Sequence, residues 1–289
     1  MKLAWIGLGT MGTSMAQRLN NAGYDVTVHN RTREREADVT GVKRAASPQE
    51  AAAGCDVVFT MVSDTPDAEA VITGEGGALY GMKPGSVLID MSTISPSVTQ
   101  ILAAQLAEKG VEMLDAPVSG GSEGAQKGTL AVMVGGKAEV LERVRDTLDH
   151  LAKTVTYVGP SGSGQLVKAI NQVVIAGTYA AVAEGMALGL AAELDMDAVV
   201  LAISGGAAGS WVLENRSGNM VRGDYPLGFR TRLHRKDLGI ALGAARDLGV
   251  PLQVTALVEQ LETGLIKRGY GDEDVSNIAR AVRESAGLK

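Results

Sequence analysis

Lys168 stands almost alone in a long apolar stretch. Residues 165–194, "QLVKAINQVVIAGTYAAVAEGMALGLAAEL", carry no proline, and their other charges are Glu184 and Glu193. A lysine on a helix is ordinarily a solvated surface charge. This one is the only basic residue of its segment and lies one turn in from the glycine-rich "GPSGSG" (159–164). Asn171 and Gln172 follow at i+3 and i+4, on the same helix face. A desolvated ammonium with polar neighbours at a domain junction is a candidate proton donor, because burial lowers an ammonium pKa toward working pH.

A second chemical feature opens the chain. "MKLAWIGLGTMGTSMAQRLNNAGYDVTVHN" reads as strand, turn, helix and strand, with Gly7, Gly9 and Gly12 supplying a G-x-G-x-x-G turn. Glycines there allow a tight turn, close backbone approach to a pyrophosphate and helix-on-strand packing. The N–H groups at the start of the helix face that anion. A lone G-x-G-x-x-G is a weak signal, but this one has the strand before it and the helix after it that the motif requires.

The end of the second strand bears on which dinucleotide binds. An NAD-preferring site would place Asp or Glu there to hold the ribose hydroxyls. Asn30 stands there instead, followed by Arg31 and Thr32. A missing carboxylate and an added guanidinium suit a 2′-phosphate, so NADP(H) is expected over NAD(H). Arg33 and Arg35 have a plainer explanation, as solvated charges at a helix start beside Glu34 and Glu36.

These groups need a scaffold. The chain has 289 residues and a net charge of −6, enough for two domains. Aromatics make up 3%, so nucleic-acid binding by base stacking is not expected. The acidic balance argues against broad phosphate-backbone binding. Cys55 is the single cysteine, which rules out an internal disulfide framework, and the three histidines are too scattered for a metal motif. No signal-peptide layout is visible at the start, and the longest uncharged run falls short of a membrane span. A cytoplasmic protein that binds neither membrane nor nucleic acid is the expectation.

Buried strands are predicted at 55–62 and 86–92, and further strands at 111–121, 130–136 and 155–159. Helices between them are announced by Ser47, Thr65 and Ser95, each followed by proline. This alternation predicts an α/β doubly wound, mostly parallel sheet of the Rossmann type. Beyond it only helices are predicted, with periodic segments at 195–203, 232–248, 252–268 and 274–286. The expected organisation is a dinucleotide-binding domain at 1–162, an interdomain helix at 163–194 and an all-α domain at 195–289 for substrate and dimerisation. A helix of 30 residues spans on the order of 45 Å. One so apolar must be buried by protein, so a homodimer or homotetramer is expected.

Four segments in order, "IGLGTMG" (6–12), "DAPVSGG" (115–121), "GSGQLVKAINQ" (162–172) and "HRKDLGIAL" (234–242), make the whole chain resemble the β-hydroxyacid dehydrogenases. The resemblance implies that Lys168 is the catalytic lysine. It implies that Ser119, Gly120 and Gly121 hold the carboxylate of a small substrate, with Asn171 and Gln172 beside it. Gly7, Leu8, Gly9, Thr10, Met11 and Gly12 would line the pyrophosphate. Met61, Val62 and Thr93 would border the cofactor, and Lys236 would close on it. Many members carry Asn-Asn where this chain has Asn171-Gln172. The Asn-Gln pair, and "SGGAAGSWVL" (204–213), are similar to tartronate semialdehyde reductase-like members. Other readings are an imine or ketone reductase of related architecture, which would generally lack the lysine, or a non-catalytic NADP-binding scaffold.

Overall fold

In the first strand, β1 (Lys2–Ile6), Leu3 and Trp5 point to one side and Ala4 and Ile6 to the other, and all four are buried. A strand apolar on both faces needs helices on both, as in parallel α/β sheets. The computed structural model describes residues 1–288 and divides into two compact units that part within one helix, between Lys168 and Ala169.

The first unit follows the predicted alternation. After β1 come α1 (Gly12–Asn21), β2 (Asp25–His29), β3 (Lys43–Arg44), α2 (Pro48–Ala52), β4 (Val57–Thr60), α3 (Thr65–Ile72), β5 (Val87–Asp90) and α4 (Pro96–Ala107). Then follow β6 (Glu112–Asp115), β7 (Val118–Ser119), α5 (Gly121–Lys127), β8 (Leu130–Gly135), α6 (Ala138–Asp149), β9 (Ala152–Gly159) and α7 (Ser163–Ala191), whose first turns close the unit. The sheet order is β3-β2-β1-β4-β5-β6-β8-β7, with β9 on β8. The strands from β1 to β6 are mutually parallel, whereas β8 runs antiparallel to β6 and β7. Leu3, Trp5, Phe59 and Ile89 pack under Met15 and Leu19 of α1 and Val140 and Val144 of α6. On the other face Ala4, Ile6, Val58 and Leu88 pack under Ile72 of α3 and Leu102 and Leu106 of α4.

Two local expectations are corrected, and one strand is added. β3 was not anticipated, because its two residues are exposed and charged. Asp64, not Thr65, caps α3, its carboxylate accepting from the N–H of Thr65 at 2.7 Å. The expected single strand over 111–121 breaks at Ala116–Pro117 into β6 and β7, and Gly121 already opens α5.

The second unit is helical. α7 continues to Ala191 and is followed by α8 (Met196–Ser204), α9 (Trp211–Arg222), α10 (Thr231–Leu248), α11 (Gln253–Lys267) and α12 (Ile278–Ser285). Ala176, Tyr179, Ala183 and Met186 recur at three- and four-residue steps along α7 and pack with Leu213, Met220, Leu238, Val258 and Ile278. The opposite side of α7 leaves Ile170, Val174 and Leu188 exposed. By length and composition α7 alone among the described helices could cross a membrane, with 39% of its most apolar window buried in protein. The expected helix at 195–203 is α8. α9 was not anticipated; Ser210 caps it, accepting from the Leu213 N–H at 3.1 Å, and left-handed Gly223 ends it.

Candidate functional site

The glycine turn is built by contacts that exclude a side chain. Gly7 has φ +101°, and a Cβ there would meet the Met61 carbonyl oxygen at 2.2 Å. A Cβ on Gly12 would meet the Gly7 carbonyl oxygen at 2.1 Å, so α1 begins in direct backbone contact with the turn. A Cβ on Gly9 would meet nothing within 4 Å. No side chain caps the start of α1, and its first turn holds no acidic residue. A backbone cradle that is open above Gly9, together with an uncapped helix start, fits a dinucleotide pyrophosphate. Leu8, Thr10 and Met11 complete this turn. Trp5 supports it from below, its ring N–H donating to the Gly7 carbonyl at 3.0 Å.

The corner after β2 is bound to the same turn. Asn30 Oδ1 accepts from the Leu8 N–H at 2.8 Å, and Asn30 Nδ2 donates to the Thr32 carbonyl at 2.7 Å. The Arg31 side chain is 86% exposed and pairs with Asp67 at 2.9 Å. Arg33, expected as a solvated charge, is 46% exposed but is also tied to the fold through its neighbour Glu36. Glu36 is buried, accepts from the Asn30 N–H at 3.0 Å and pairs with Arg33 at 3.1 Å, while Arg33 also donates to the Ala45 carbonyl. Arg35 stays exposed, its Nη1 at 3.5 Å from the Leu8 carbonyl.

The parallel register aligns the strand ends, with Ile6 opposite Thr60, Thr60 opposite Asp90 and Asp90 opposite Asp115. Met61, Val62 and half-buried Thr93 therefore follow neighbouring carboxyl ends of the sheet. The chain crosses over between β1 and β4, the switch point where open α/β sheets place ligands. Behind this edge, Asp90 Oδ1 accepts from the hydroxyls of Thr60 and Ser92, each at 2.7 Å, and the Ser92 Oγ accepts from the Val62 N–H at 2.9 Å. Asp90 Oδ2 has no hydrogen-bond partner, and complete burial pushes the Asp90 carboxyl up from its ordinary pKa.

Asp115 anchors the start of α7. Its two carboxylate oxygens accept from the N–H groups of Gly162 at 2.9 Å and Gln165 at 3.0 Å. Gln165 is fully buried and its side-chain amide reaches the loop after β5, donating to the Ser92 carbonyl at 2.8 Å and accepting from the Ile94 N–H at 3.1 Å. One turn later Lys168 is 7% exposed, which removes it from the class of ordinary surface lysines. Ser119 ends β7, and Gly120 and Gly121 follow with φ +131° and +63°, presenting backbone where L side chains fit poorly.

In the second unit Asn171 Nδ2 donates to Gln172 Oε1 at 2.7 Å, and Gln172 Nε2 donates to Asp237 of α10. Asp237 also pairs with Lys236 at 2.8 Å. Gln172 is fully buried with both ends of its amide engaged. His234, two residues before Lys236 and three before Asp237 on α10, is buried against Glu262 of α11 at 2.6 Å.

Asp115, Gln165, Glu36 and Asp237 were not singled out from the sequence. Two of them lie inside "DAPVSGG" and "GSGQLVK", and nothing in residue type separates a supporting carboxylate or amide from a solvated one.

Comparisons with known proteins agree along the whole chain. Residues 2–159 match a family described as the NAD binding domain of 6-phosphogluconate dehydrogenase. Residues 162–282 match one described as NAD-binding of NADP-dependent 3-hydroxyisobutyrate dehydrogenase. The 2-hydroxy-3-oxopropionate reductase of Escherichia coli K12 is 38% identical over 292 residues, covering 100% of this chain and 99% of that protein. A solved structure described as Mycobacterium tuberculosis 3-hydroxyisobutyrate dehydrogenase with L-serine is 30% identical and superposes with a TM-score of 0.91, covering 98% of this chain and 99% of the other. A structure described as Psf3 in complex with NADP+ and 2-OPP is 25% identical, with a TM-score of 0.86 and coverage of 97% and 99%.

Proposed function

Because the chain belongs to the β-hydroxyacid dehydrogenase family and is therefore a nicotinamide-dependent oxidoreductase, we propose that it interconverts a small β-hydroxy acid and its semialdehyde with NADP(H). The substrate is of the 3-hydroxyisobutyrate or tartronate semialdehyde type. The observation that carries this reading is Lys168, buried on a helix whose first turn is bound to the sheet through Asp115 and Gln165.

A bound nicotinamide supplies the hydride in reduction and receives it in oxidation. In reduction Lys168 gives an ammonium proton to the carbonyl oxygen as negative charge builds there, and in oxidation its neutral amine takes the hydroxyl proton. The Ser119 hydroxyl and the N–H groups of Gly120 and Gly121 hold the substrate carboxylate. Asn171, bonded to Gln172, orients the substrate. Lys236 closes on the cofactor and Thr93 lies against its nicotinamide side. NADP(H) over NAD(H) is supported by Asn30 in place of a carboxylate and by the exposed Arg31 guanidinium. The name of the second matching family and the NADP+ in one similar structure accord with it. We further propose a cytoplasmic homodimer or homotetramer, with a second copy covering the exposed Ile170, Val174 and Leu188.

The test is a panel of small β-hydroxy acids and semialdehydes, with one cyclic imine, assayed with both cofactors. Turnover of a semialdehyde with NADPH is expected. Turnover of the imine alone, or of nothing in the panel, would refute the reading.

A further inference from the structure

Two groups must meet the reacting carbonyl at once, a hydride donor against its carbon and a proton donor at its oxygen. On the reading above, the Thr93 loop borders the first and Lys168 is the second. We propose that Gln165 is a positioning residue that fixes these two against each other. The inference rests on the proposed role of Lys168.

One residue makes both connections. The backbone N–H of Gln165 is held by Asp115, and its side-chain amide bonds the residues on either side of Thr93, Ser92 through its carbonyl and Ile94 through its N–H. Lys168 follows one turn along the same helix. Ser92 is itself bonded to Asp90 and to the Val62 N–H, so the clamp reaches the ends of β4 and β5 together. Gln165 is 1% exposed and touches an acceptor on one side and a donor on the other. A carboxamide, or a protonated carboxyl of the same length, satisfies both. Methionine fills the volume and satisfies neither. Since a misplacement of about 1 Å can cost roughly 10²-fold in rate, a clamp of this kind controls turnover without touching substrate.

The experiment compares Gln165→Met, Gln165→Glu and Lys168→Ala, singly, and Gln165→Met combined with Lys168→Ala. Gln165→Met is expected to lower kcat by roughly 10- to 100-fold with little change in KM for NADPH. In the free protein, hydrogen exchange at the Ile94 amide should accelerate while that of Leu88 within β5 does not. Gln165→Glu should be impaired at alkaline pH and recover, relative to the unmodified protein at the same pH, as its carboxyl takes up a proton and can donate to Ser92. In the Lys168→Ala background, Gln165→Met should cost no further turnover. The proposal is overturned if Gln165→Met keeps kcat within about twofold, against the roughly 10²-fold of a misplaced group. It is also overturned if the loss is as large without Lys168, or if Ile94 exchange is unchanged. Near-normal turnover in Lys168→Ala alone would remove the reading and this proposal together. A crippled Lys168→Ala beside an active Gln165→Met would remove the clamp alone.

Discussion

The side-chain oxygen of Asn30 accepts a hydrogen bond from the backbone N–H of Leu8 at 2.8 Å, so the end of β2 holds the glycine turn in shape. This decides how cofactor preference should be tested. Asn30→Asp would set a carboxylate oxygen against the Thr32 carbonyl that Asn30 Nδ2 now meets at 2.7 Å, mixing a structural fault with a change of preference. Arg31→Ala leaves that bond intact. Losing a charge-assisted contact to the 2′-phosphate should cost about 1.5–3 kcal/mol, or roughly ten- to a hundredfold in kcat/KM for NADPH. The NADH value should hardly move. An unmodified enzyme that already works better with NADH would refute the assignment of this corner.

Lys168→Ala should lose about 10²–10⁴-fold in kcat while NADPH affinity stays nearly normal, the typical range for removing a general acid. Lys168→Arg should fail as well, because a guanidinium keeps its proton at any working pH. Steady-state turnover with cofactor titration on both variants decides the matter. Near-normal turnover in either would refute the role of Lys168.

Asp90 makes a prediction about stability and pH. Burial raises its pKa above the usual 3.8, so the native state holds this proton more tightly than the unfolded chain. That stabilisation is complete below the unfolded-state pKa and is lost as pH rises through the raised native value. Asp90→Asn keeps an oxygen acceptor for Thr60 and Ser92 and removes the titration. The variant should therefore gain stability relative to the parent as pH increases. Urea unfolding at a series of pH values measures this, and a difference independent of pH would count against a raised Asp90 pKa.

The exposed apolar face of α7 should be covered in solution. Sedimentation at micromolar concentration should show a dimer or tetramer of the 29.9 kDa chain. Leu188→Glu, at a position 74% exposed, should shift the equilibrium toward monomer. A clean monomer of the unmodified chain would contradict the assembly.

Where a residue type has few structural explanations, the sequence was readable. Glycines at 7, 9 and 12 after an apolar strand admit one reading, and the backbone contacts at Gly7 and Gly12 show why. Apolar runs such as 86–92 marked β5 because a strand buried on both faces leaves no other pattern. α9 escaped notice because "WVLENRSGNMVR" carries a weak apolar stripe interrupted by Ser217 and Gly218. Its boundaries, Ser210 and Gly223, were the available signal. The supporting residues were the least legible. Gln172 and Asn171 are adjacent amides of similar composition, yet one is fully buried and the other half-buried. Gln165 looks like any polar residue at a helix start until the loop that it bonds, about seventy positions earlier in the chain, is placed beside it.

Cys55 has a use that its inertness conceals. The thiol is 4% exposed, burial raises its pKa, and Sγ donates to the Ala51 carbonyl at 3.3 Å. It is the only cysteine in the chain. A thiol-modifying dye added to the folded protein can thus react only when the nucleotide-binding unit opens around β4. The slow appearance of label becomes a clock for that opening, without any engineered probe. Increasing NADPH should slow the clock in proportion to its occupancy, giving a ligand-binding measurement that needs no catalytic turnover.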